Sequence, residues 1–219
     1  MSIRHHLDDA TLLAYAAGSL SEGMSLLVAS HIDRCAHCQE RLQQAEAVGG
    51  ALLEELAPVA LAPDALEQVL ALLDTDAGAA DVQPVVARAP LLDSQIPAPL
   101  AHYLDKPLDE LEWRTLVPGV RQLDLRLGGP GATRLLRIAP GLSVPHHSHR
   151  GNELTLILRG SYSDELGRFQ AGDVADLDEQ VSHQPISDSG EDCICLIATD
   201  APLRFSGLMG RLVQPFIGL

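Results

Sequence analysis

Three side chains that commonly bind soft metal ions lie within eight residues of this sequence. His31, Cys35 and Cys38 form a His-x3-Cys-x2-Cys pattern. Residues four apart share one face of a helix, and cysteines separated by two residues can turn both thiolates toward one ion. A Cys-x-x-Cys pair alone would also suit a redox pair or two small buried residues. The added histidine favours zinc, with three ligands supplied and a fourth required.

The fourth zinc ligand is expected ahead of the helix that carries His31. His5 and His6 are the imidazoles in that region, and we favour His6 because it would tie the N-terminus to the end of the helix. Asp33 and His37 are closer in sequence, but Asp33 falls on another helix face and His37 lies inside the Cys-x-x-Cys turn. The predicted structural zinc site therefore consists of His6, His31, Cys35 and Cys38.

A second set of metal-binding residues lies in the other half of the chain. His147 and His149 are two apart, so on a strand they point to the same side, whereas His146 points to the opposite side. Glu153 follows after a short bend, and His183 could join from a neighbouring strand. Three imidazoles and one carboxylate suit a divalent transition metal, with Zn2+ as the first expectation and Mn, Fe or Ni as alternatives.

Helices are expected to position the predicted zinc ligands of the N-terminal part. An aspartate at position 8 or 9 can cap a first helix, which Gly18 ends. Ser19 and Glu22 then have the Ser-x-x-Glu spacing of a capping box, and an apolar stripe with a 3.6-residue period carries His31 inward. A third helix is expected from about residue 38 to residue 56. The N-terminal part is therefore predicted to be a zinc-binding helical bundle, residues 1–74.

A fourth amphipathic helix is predicted after Pro63. Such a helix cannot bury its apolar stripe alone, so it either folds back onto the first three helices or binds a partner. After it, residues 75–97 form an Ala/Pro-rich linker that separates the helical domain from a second domain, residues 98–219. The apolar stripe of the fourth helix consists of Leu66, Val69, Leu70 and Leu73.

The apolar residues of the second domain recur with a different period from those of the helical domain. Its short runs of alternating polar and apolar residues, separated by Gly and Pro turns, predict a β-sandwich or barrel. Cys193 and Cys195 fall on one face of such a strand, where two small buried residues are favoured over a redox pair. The predicted fold class is multidomain, α-helical first and all-β second.

Composition narrows the class of partner. The chain of 219 residues has 30 acidic and 15 basic residues, for a net charge of -15. This charge argues against direct nucleic-acid binding and suits a basic protein partner. The four cysteines form two close pairs, unlike a secreted disulfide framework. With no apolar run long enough for a membrane span and no signal sequence, we expect a cytoplasmic protein without membrane attachment.

One segment matches a known motif at every fixed position. From Gly141 to Gly160 the residues fit Gly-x5-His-x-His-x3-Glu-x6-Gly, which resembles the first motif of the cupin family and implies a cupin β-barrel of the jelly-roll type. The second cupin motif is matched only in part, through Gly172 and His183. His183 thus rests on weaker motif evidence than His147, His149 and Glu153.

The helical unit and the cupin together resemble the ChrR-type zinc-binding anti-sigma factors, also over residues 3–6, 14–18, 113–116, 192–196 and 212–216. The resemblance implies zinc on His6, His31, Cys35 and Cys38 and a second metal on His147, His149, Glu153 and His183. It further implies that the helices, the fourth included, bind an extracytoplasmic-function sigma factor one-to-one and block its access to RNA polymerase. The cupin would be needed for release when singlet oxygen or organic peroxide is sensed.

Two other interpretations concern the cupin. The same ligand set supports metal-dependent dioxygenases and isomerases, so a cupin metalloenzyme with an accessory zinc domain is an alternative. A purely structural cupin metal is another. We expect a regulator and not an enzyme, because a free-standing cupin enzyme has no need of the helical zinc unit.

Overall fold

The computed structural model describes residues 2–74, 93–128, 131–148, 150–201 and 204–205, with helices first and strands second. Within these ranges no helix is long and apolar enough to cross a membrane. The helices are α1 (Asp9–Ala16), α2 (Glu22–Ile32), α3 (Ala36–Glu54), α4 (Ala65–Asp74) and α5 (Ala98–Ala101). The strands are β1 (Arg114–Val117), β2 (Val120–Asp124), β3 (Ala132–Ile138), β4 (His147–Ser148), β5 (Glu153–Arg159), β6 (Ser161–Asp164), β7 (Gly167–Gln170), β8 (Val174–Leu177), β9 (Ser182–His183), β10 (Ile186–Ser187), β11 (Cys193–Thr199) and β12 (Arg204–Phe205).

Side-chain caps start the first two helices. The carboxylate of Asp8 accepts a hydrogen bond from the Thr11 backbone N–H at 2.6 Å, in line with one of the two predicted caps of α1. The cap of α2 is Ser21, whose hydroxyl accepts from Met24 N–H at 3.4 Å. The capping box predicted at Ser19 was therefore wrong. Ser19 instead donates to the Ala14 carbonyl at 3.0 Å and helps to end α1.

The strands form three antiparallel sheets. The largest has six strands in the order β1-β2-β3-β11-β5-β8, and two three-stranded sheets have the orders β10-β6-β7 and β12-β4-β9. Gly160 of the matched motif separates β5 from β6 with a φ of +70°, and a Cβ there would lie 2.6 Å from the Asp192 carbonyl oxygen. That crowding explains why only glycine suits this position.

The central strands β5 and β11 of the large sheet are buried on both faces, because α2 covers one of them. Along β11 successive side chains alternate between the helix-facing core and the core between the sheets. Contact between helix and sheet is close: a Cβ on Gly23 of α2 would lie 1.7 Å from the Thr133 hydroxyl oxygen on β3. The helix-facing side chains of β11 are Ile194, Leu196 and Ala198, and those facing the other core are Cys193, Cys195 and Ile197. The two halves of the chain therefore share one hydrophobic core.

Helix α4 does not bury its apolar stripe against the described part of the chain. Leu66, Val69, Leu70 and Leu73 are 67%, 57%, 50% and 77% exposed. Of the two expectations for this helix, folding back onto α1 to α3 is not what the structure shows. Most of the predicted linker, residues 75–92, lies outside the described residues.

The end of the predicted linker packs against the β half. Ile96 is buried, and the Gln95 side-chain oxygen accepts a hydrogen bond from Arg159 Nε at 2.8 Å. The Asp93 carboxylate accepts from the Leu108 backbone N–H at 3.4 Å. These contacts attach residues 93–96 to the β half of the molecule.

Candidate metal centres

Four side chains from the N-terminal half meet in one group. Ligand atoms of His6, His31, Cys35 and Cys38 all lie within 4.8 Å of one another. His6 Nδ1 is 3.2 Å from Cys35 Sγ, and His31 Nε2 is 3.3 Å from Cys38 Sγ. A tetrahedral zinc ion lies ~2.3 Å from sulfur and ~2.0 to 2.1 Å from nitrogen. Its ligand atoms are then separated from one another by distances similar to these N–S distances. Donor types and spacing thus fit a zinc ion.

A turn between two helices brings His31 and Cys35 together. Helix α2 ends at Ile32, and Cys35 is the N-cap of α3, where its sulfur accepts from the Cys38 backbone N–H at 3.5 Å. The premise that His31 and Cys35 share one helix face was therefore wrong, although the two side chains do meet. The cap explains the Cys-x-x-Cys spacing, because it aims both sulfurs at the start of α3.

The alternative ligands lie elsewhere or outside the group. His5 places its Nε2 atom 3.2 Å from the Arg168 carbonyl oxygen. Asp33 accepts a hydrogen bond from the Ala98 backbone N–H at 3.1 Å. The exposed ring of His37 lies 4.4 Å from the ring of His6 but does not join the four. The structure thus places His6 with the other three.

Burial disfavours charge on the N-terminal group unless a cation is present. It lowers the pKa of His31 to about 4 and, with the Cys35 thiol nearby, raises the pKa of Cys38 to about 12. The neutral imidazole of His31 is the form that binds metal, and its Nδ1 atom lies 3.1 Å from the Gly172 carbonyl oxygen. A divalent cation would supply the positive charge that a buried thiolate requires.

A second group lies inside the β half. Ligand atoms of His147, Glu153 and His183 lie within 4.8 Å of one another, and all three residues are buried. The pairing of β4 with β9 sets His147 opposite His183, and Glu153 begins β5. His149, the remaining predicted ligand, lies outside the described residues. Two imidazoles and a carboxylate match the donors of divalent transition metals.

Each histidine of this cupin group is oriented through its Nδ1 atom. His183 Nδ1 lies 2.8 Å from Asp164 Oδ2, and His147 Nδ1 lies 2.9 Å from the Pro145 carbonyl oxygen. When both Nδ1 atoms carry the hydrogen, the lone pairs belong to the two Nε2 atoms, which are 3.1 Å apart. Such an arrangement suits a cation near both nitrogens and Glu153.

The sequence analysis missed Asp164. Its side chain is fully covered, and it fixes the orientation of His183 from β6. Tyr162 and Asp164 are two residues apart and therefore face the same side of a strand. This shared face was the signal available in the sequence. That signal was too weak to identify Asp164, because the pairing depends on how β6 meets β9.

Cys193 and Cys195 of β11 are both buried, and neither forms a disulfide bond. Burial raises the pKa of Cys193 to about 12 and raises that of Cys195 well above its usual range. Both side chains lie in the core between the sheets, as expected for small buried residues.

Comparisons with known proteins match both the helices and the β half of this chain. The family model described as ChrR Cupin-like domain matches residues 106–202. Anti-sigma-E factor ChrR of Cereibacter sphaeroides is 50% identical over 216 residues, which cover 99% of each chain. The crystal structure of Rhodobacter sphaeroides SigE in complex with the anti-sigma ChrR contains a chain that is 48% identical, with a TM-score of 0.75 over 91% of this chain and 100% of that one. The chain therefore belongs to the ChrR family.

Proposed function

We propose that this protein is a cytoplasmic anti-sigma factor that binds an extracytoplasmic-function sigma factor one-to-one through its N-terminal helices. Binding keeps the sigma factor from RNA polymerase. The relative at 50% identity is named an anti-sigma factor, and the matched crystal structure is titled as its complex with SigE. Identity over 99% of both chains supports the same class of partner here.

The exposed stripe of α4 is the observation that carries this proposal. Its four apolar side chains are each at least half exposed, and Leu52, Leu53 and Leu56 near the end of α3 are exposed as well. Full burial of one such side chain contributes about 1.5 to 3 kcal/mol. A partner that covers the stripe would supply the surface that the described residues do not.

Charge supports a basic partner. The net charge of -15 would attract a positively charged surface and raise the rate of encounter, more strongly at low salt than at high salt. Charge alone does not select a sigma factor, but an acidic protein with an exposed apolar helix suits a partner whose binding surface is basic and partly apolar.

The two metal groups have different roles in the proposal. Zinc on His6, His31, Cys35 and Cys38 would hold α1, α2 and α3 at fixed angles and keep the binding surface rigid. The cupin metal, held by His147, His149, Glu153 and His183, would take part in release of the sigma factor under oxidative stress from singlet oxygen or organic peroxide. Support comes from the contact between Gly172 of the β half and His31 of the zinc group.

Co-purification with the cognate sigma factor tests the binding role. We expect a one-to-one complex by size-exclusion chromatography with light scattering. Leu70→Asp, in the stripe, should weaken binding at least tenfold, whereas Leu166→Asp, an exposed leucine between β6 and β7, should bind normally. Absence of any wild-type complex would contradict the function, and unchanged affinity of Leu70→Asp would contradict the role of α4.

A cupin metalloenzyme is the second candidate, favoured by the buried His147, Glu153 and His183. A regulator fits better because the match to an anti-sigma factor spans the helices and the cupin alike. The assay should use the full-length metal-loaded protein, since the helices cover the sheet. Many O2-dependent turnovers per protein would favour the enzyme.

A further inference from the structure

A cavity of about 240 Å³ lies beside the cupin metal group. Its walls are mainly aliphatic and include Leu136, Ile138 and Ile197. His147, Glu153 and His183 line the same cavity, so its polar atoms include the candidate metal ligands. At ~30 Å³ per water-sized group, the volume holds about eight such groups. This is below the ~300 to 1,000 Å³ of most drug-sized pockets and points to a small ligand.

Tyr162 adds a hydrogen-bond donor to this cavity. The residue is only 4% exposed, and its hydroxyl has no hydrogen-bond partner among the described residues. Its ring stacks on Phe169 with centroids 5.0 Å apart, which restrains the phenol. Burial raises the pKa of Tyr162 far above its usual value, so the hydroxyl keeps its proton. A buried donor of this kind calls for an acceptor brought by a ligand.

Charge selects the type of acceptor. A divalent metal bound by neutral imidazoles and the carboxylate of Glu153 keeps one net positive charge on the ion and its direct ligands. The buried carboxylate of Asp164 lies behind His183, within 2.8 Å of its Nδ1 atom, and does not line the cavity. A ligand with one negative charge neutralises the positive charge at the ion, whereas an ammonium group would double it. A carboxylate supplies that charge together with an oxygen that can accept from Tyr162.

We propose that the cavity binds a small aliphatic monocarboxylate of about six carbon atoms. Its carboxylate meets the metal held by His147, Glu153 and His183 and accepts a hydrogen bond from Tyr162. Its alkyl chain packs against the aliphatic walls. The inference rests on the cupin metal site of the proposed function and identifies the chemical class that this site recognises.

Calorimetric titration of the full-length zinc-loaded protein with hexanoate tests the inference. We expect hexanoate to bind, 1-hexanol to bind more weakly and hexylamine not to bind. From butanoate to hexanoate, affinity should rise about fourfold per added methylene. Dodecanoate should bind more weakly than hexanoate, because its chain exceeds the cavity. Binding of hexylamine as tightly as hexanoate would overturn the argument from charge.

The Tyr162→Phe variant removes the donor and keeps the ring. Hexanoate affinity should fall about 10- to 100-fold, the effect of one hydrogen bond to a charged group. Tyr103→Phe is the matched control, because the Tyr103 hydroxyl donates to Glu22 at 3.3 Å outside the cavity. It should bind hexanoate as the wild type does. Equal affinity of Tyr162→Phe and wild type would overturn the role of Tyr162.

Metal content and sigma binding, measured on the same samples, separate two kinds of failure. If the cupin holds its metal and the sigma complex forms but hexanoate does not bind, the inference is wrong and the proposed function stands. If variants of His147 and His183 leave the metal content unchanged, the cupin metal site is wrong and the inference fails with it.

Discussion

The Nδ1 atom of His31 lies 3.1 Å from the carbonyl oxygen of Gly172, across the junction between the helices and the large sheet. Donation of its Nδ1–H to that oxygen leaves Nε2 to face Cys38. Gly172 precedes β8, and Leu177 of β8 pairs with Glu153 of the cupin group. A short stretch of one strand therefore connects the two metal groups.

Asp173 strengthens this connection. One oxygen of its fully buried carboxylate accepts from the backbone N–H groups of Arg4 and His5, at 2.7 Å and 3.1 Å. The other accepts from the Gln170 N–H at 3.0 Å. The turn between β7 and β8 thus holds His31 directly and His6 through its chain neighbour.

Substitution of Gly172 should weaken metal binding by the N-terminal group. Gly172 has a φ of +93°, and an added Cβ would lie 3.0 Å from Ile3 Cγ1, so Gly172→Ala should shift the carbonyl that faces His31. Zinc affinity, measured by chelator competition, should fall about tenfold or more. Gly141→Ala is the control, because Gly141 has a φ of +70° with open space around it. An equal loss in both variants would mean that backbone strain alone is responsible.

Removal of Asp164 should weaken metal binding by the cupin group. Asp164→Ala takes away the partner of His183 Nδ1, so the imidazole loses its fixed orientation. We expect a 10- to 100-fold loss of affinity at this group, seen as metal content after dialysis against a graded chelator. Glu179→Ala, an exposed carboxylate, should retain its metal. Wild-type affinity in Asp164→Ala would show that Asp164 does not support the site.

A methyl group on Gly23 should push α2 away from the sheet. Gly23→Ala collides with Thr133 on β3, and overpacking of this kind costs about 1 to 3 kcal/mol of unfolding free energy. Gly50→Ala in α3 has open space and should stabilise the protein by about 0.5 to 1 kcal/mol. Urea denaturation of both variants should show changes of opposite sign in the free energy of unfolding. A stabilising Gly23→Ala would contradict the close approach of helix and strand.

Loss of one thiolate should release the N-terminal metal and loosen the helices. Cys35→Ser replaces a proposed zinc ligand. We expect it to lower the melting temperature, to reduce the metal content by one equivalent and to weaken sigma binding at least tenfold. His37→Ala, an exposed neighbour outside the group, should behave like wild type in all three measurements. Unchanged sigma affinity in a zinc-free Cys35→Ser protein would refute a structural role for zinc.

Local spacing predicted much of which side chains lie close together in the two candidate metal groups. His31, Cys35 and Cys38 are close in sequence, so few chain conformations separate them, and one turn brings them together. The strand alternation that distinguished His147 from His146 is also a local property: His147 is buried and His146 is exposed. The structure adds His6 to the first group and His183 to the second, as expected from the sequence.

Two contacts between distant segments were not predicted. The pairing of Asp164 with His183, and of Gly172 with His31, depends on how whole elements pack, which no local pattern encodes. A signal for the covered sheet was nevertheless present in β5. Leu156, Ile157 and Leu158 are apolar in succession, and a strand with apolar residues on both sides is buried on both faces.

The cover that α2 provides for the large sheet also constrains how this protein can evolve. A substitution that reshapes the outer face of β11 alters the surface on which α2 rests, so the two must change together. Recombination that joins these helices to an unrelated cupin would leave both apolar faces mismatched. A helical part taken from another protein is therefore expected to need compensating changes on the sheet before it can pack there.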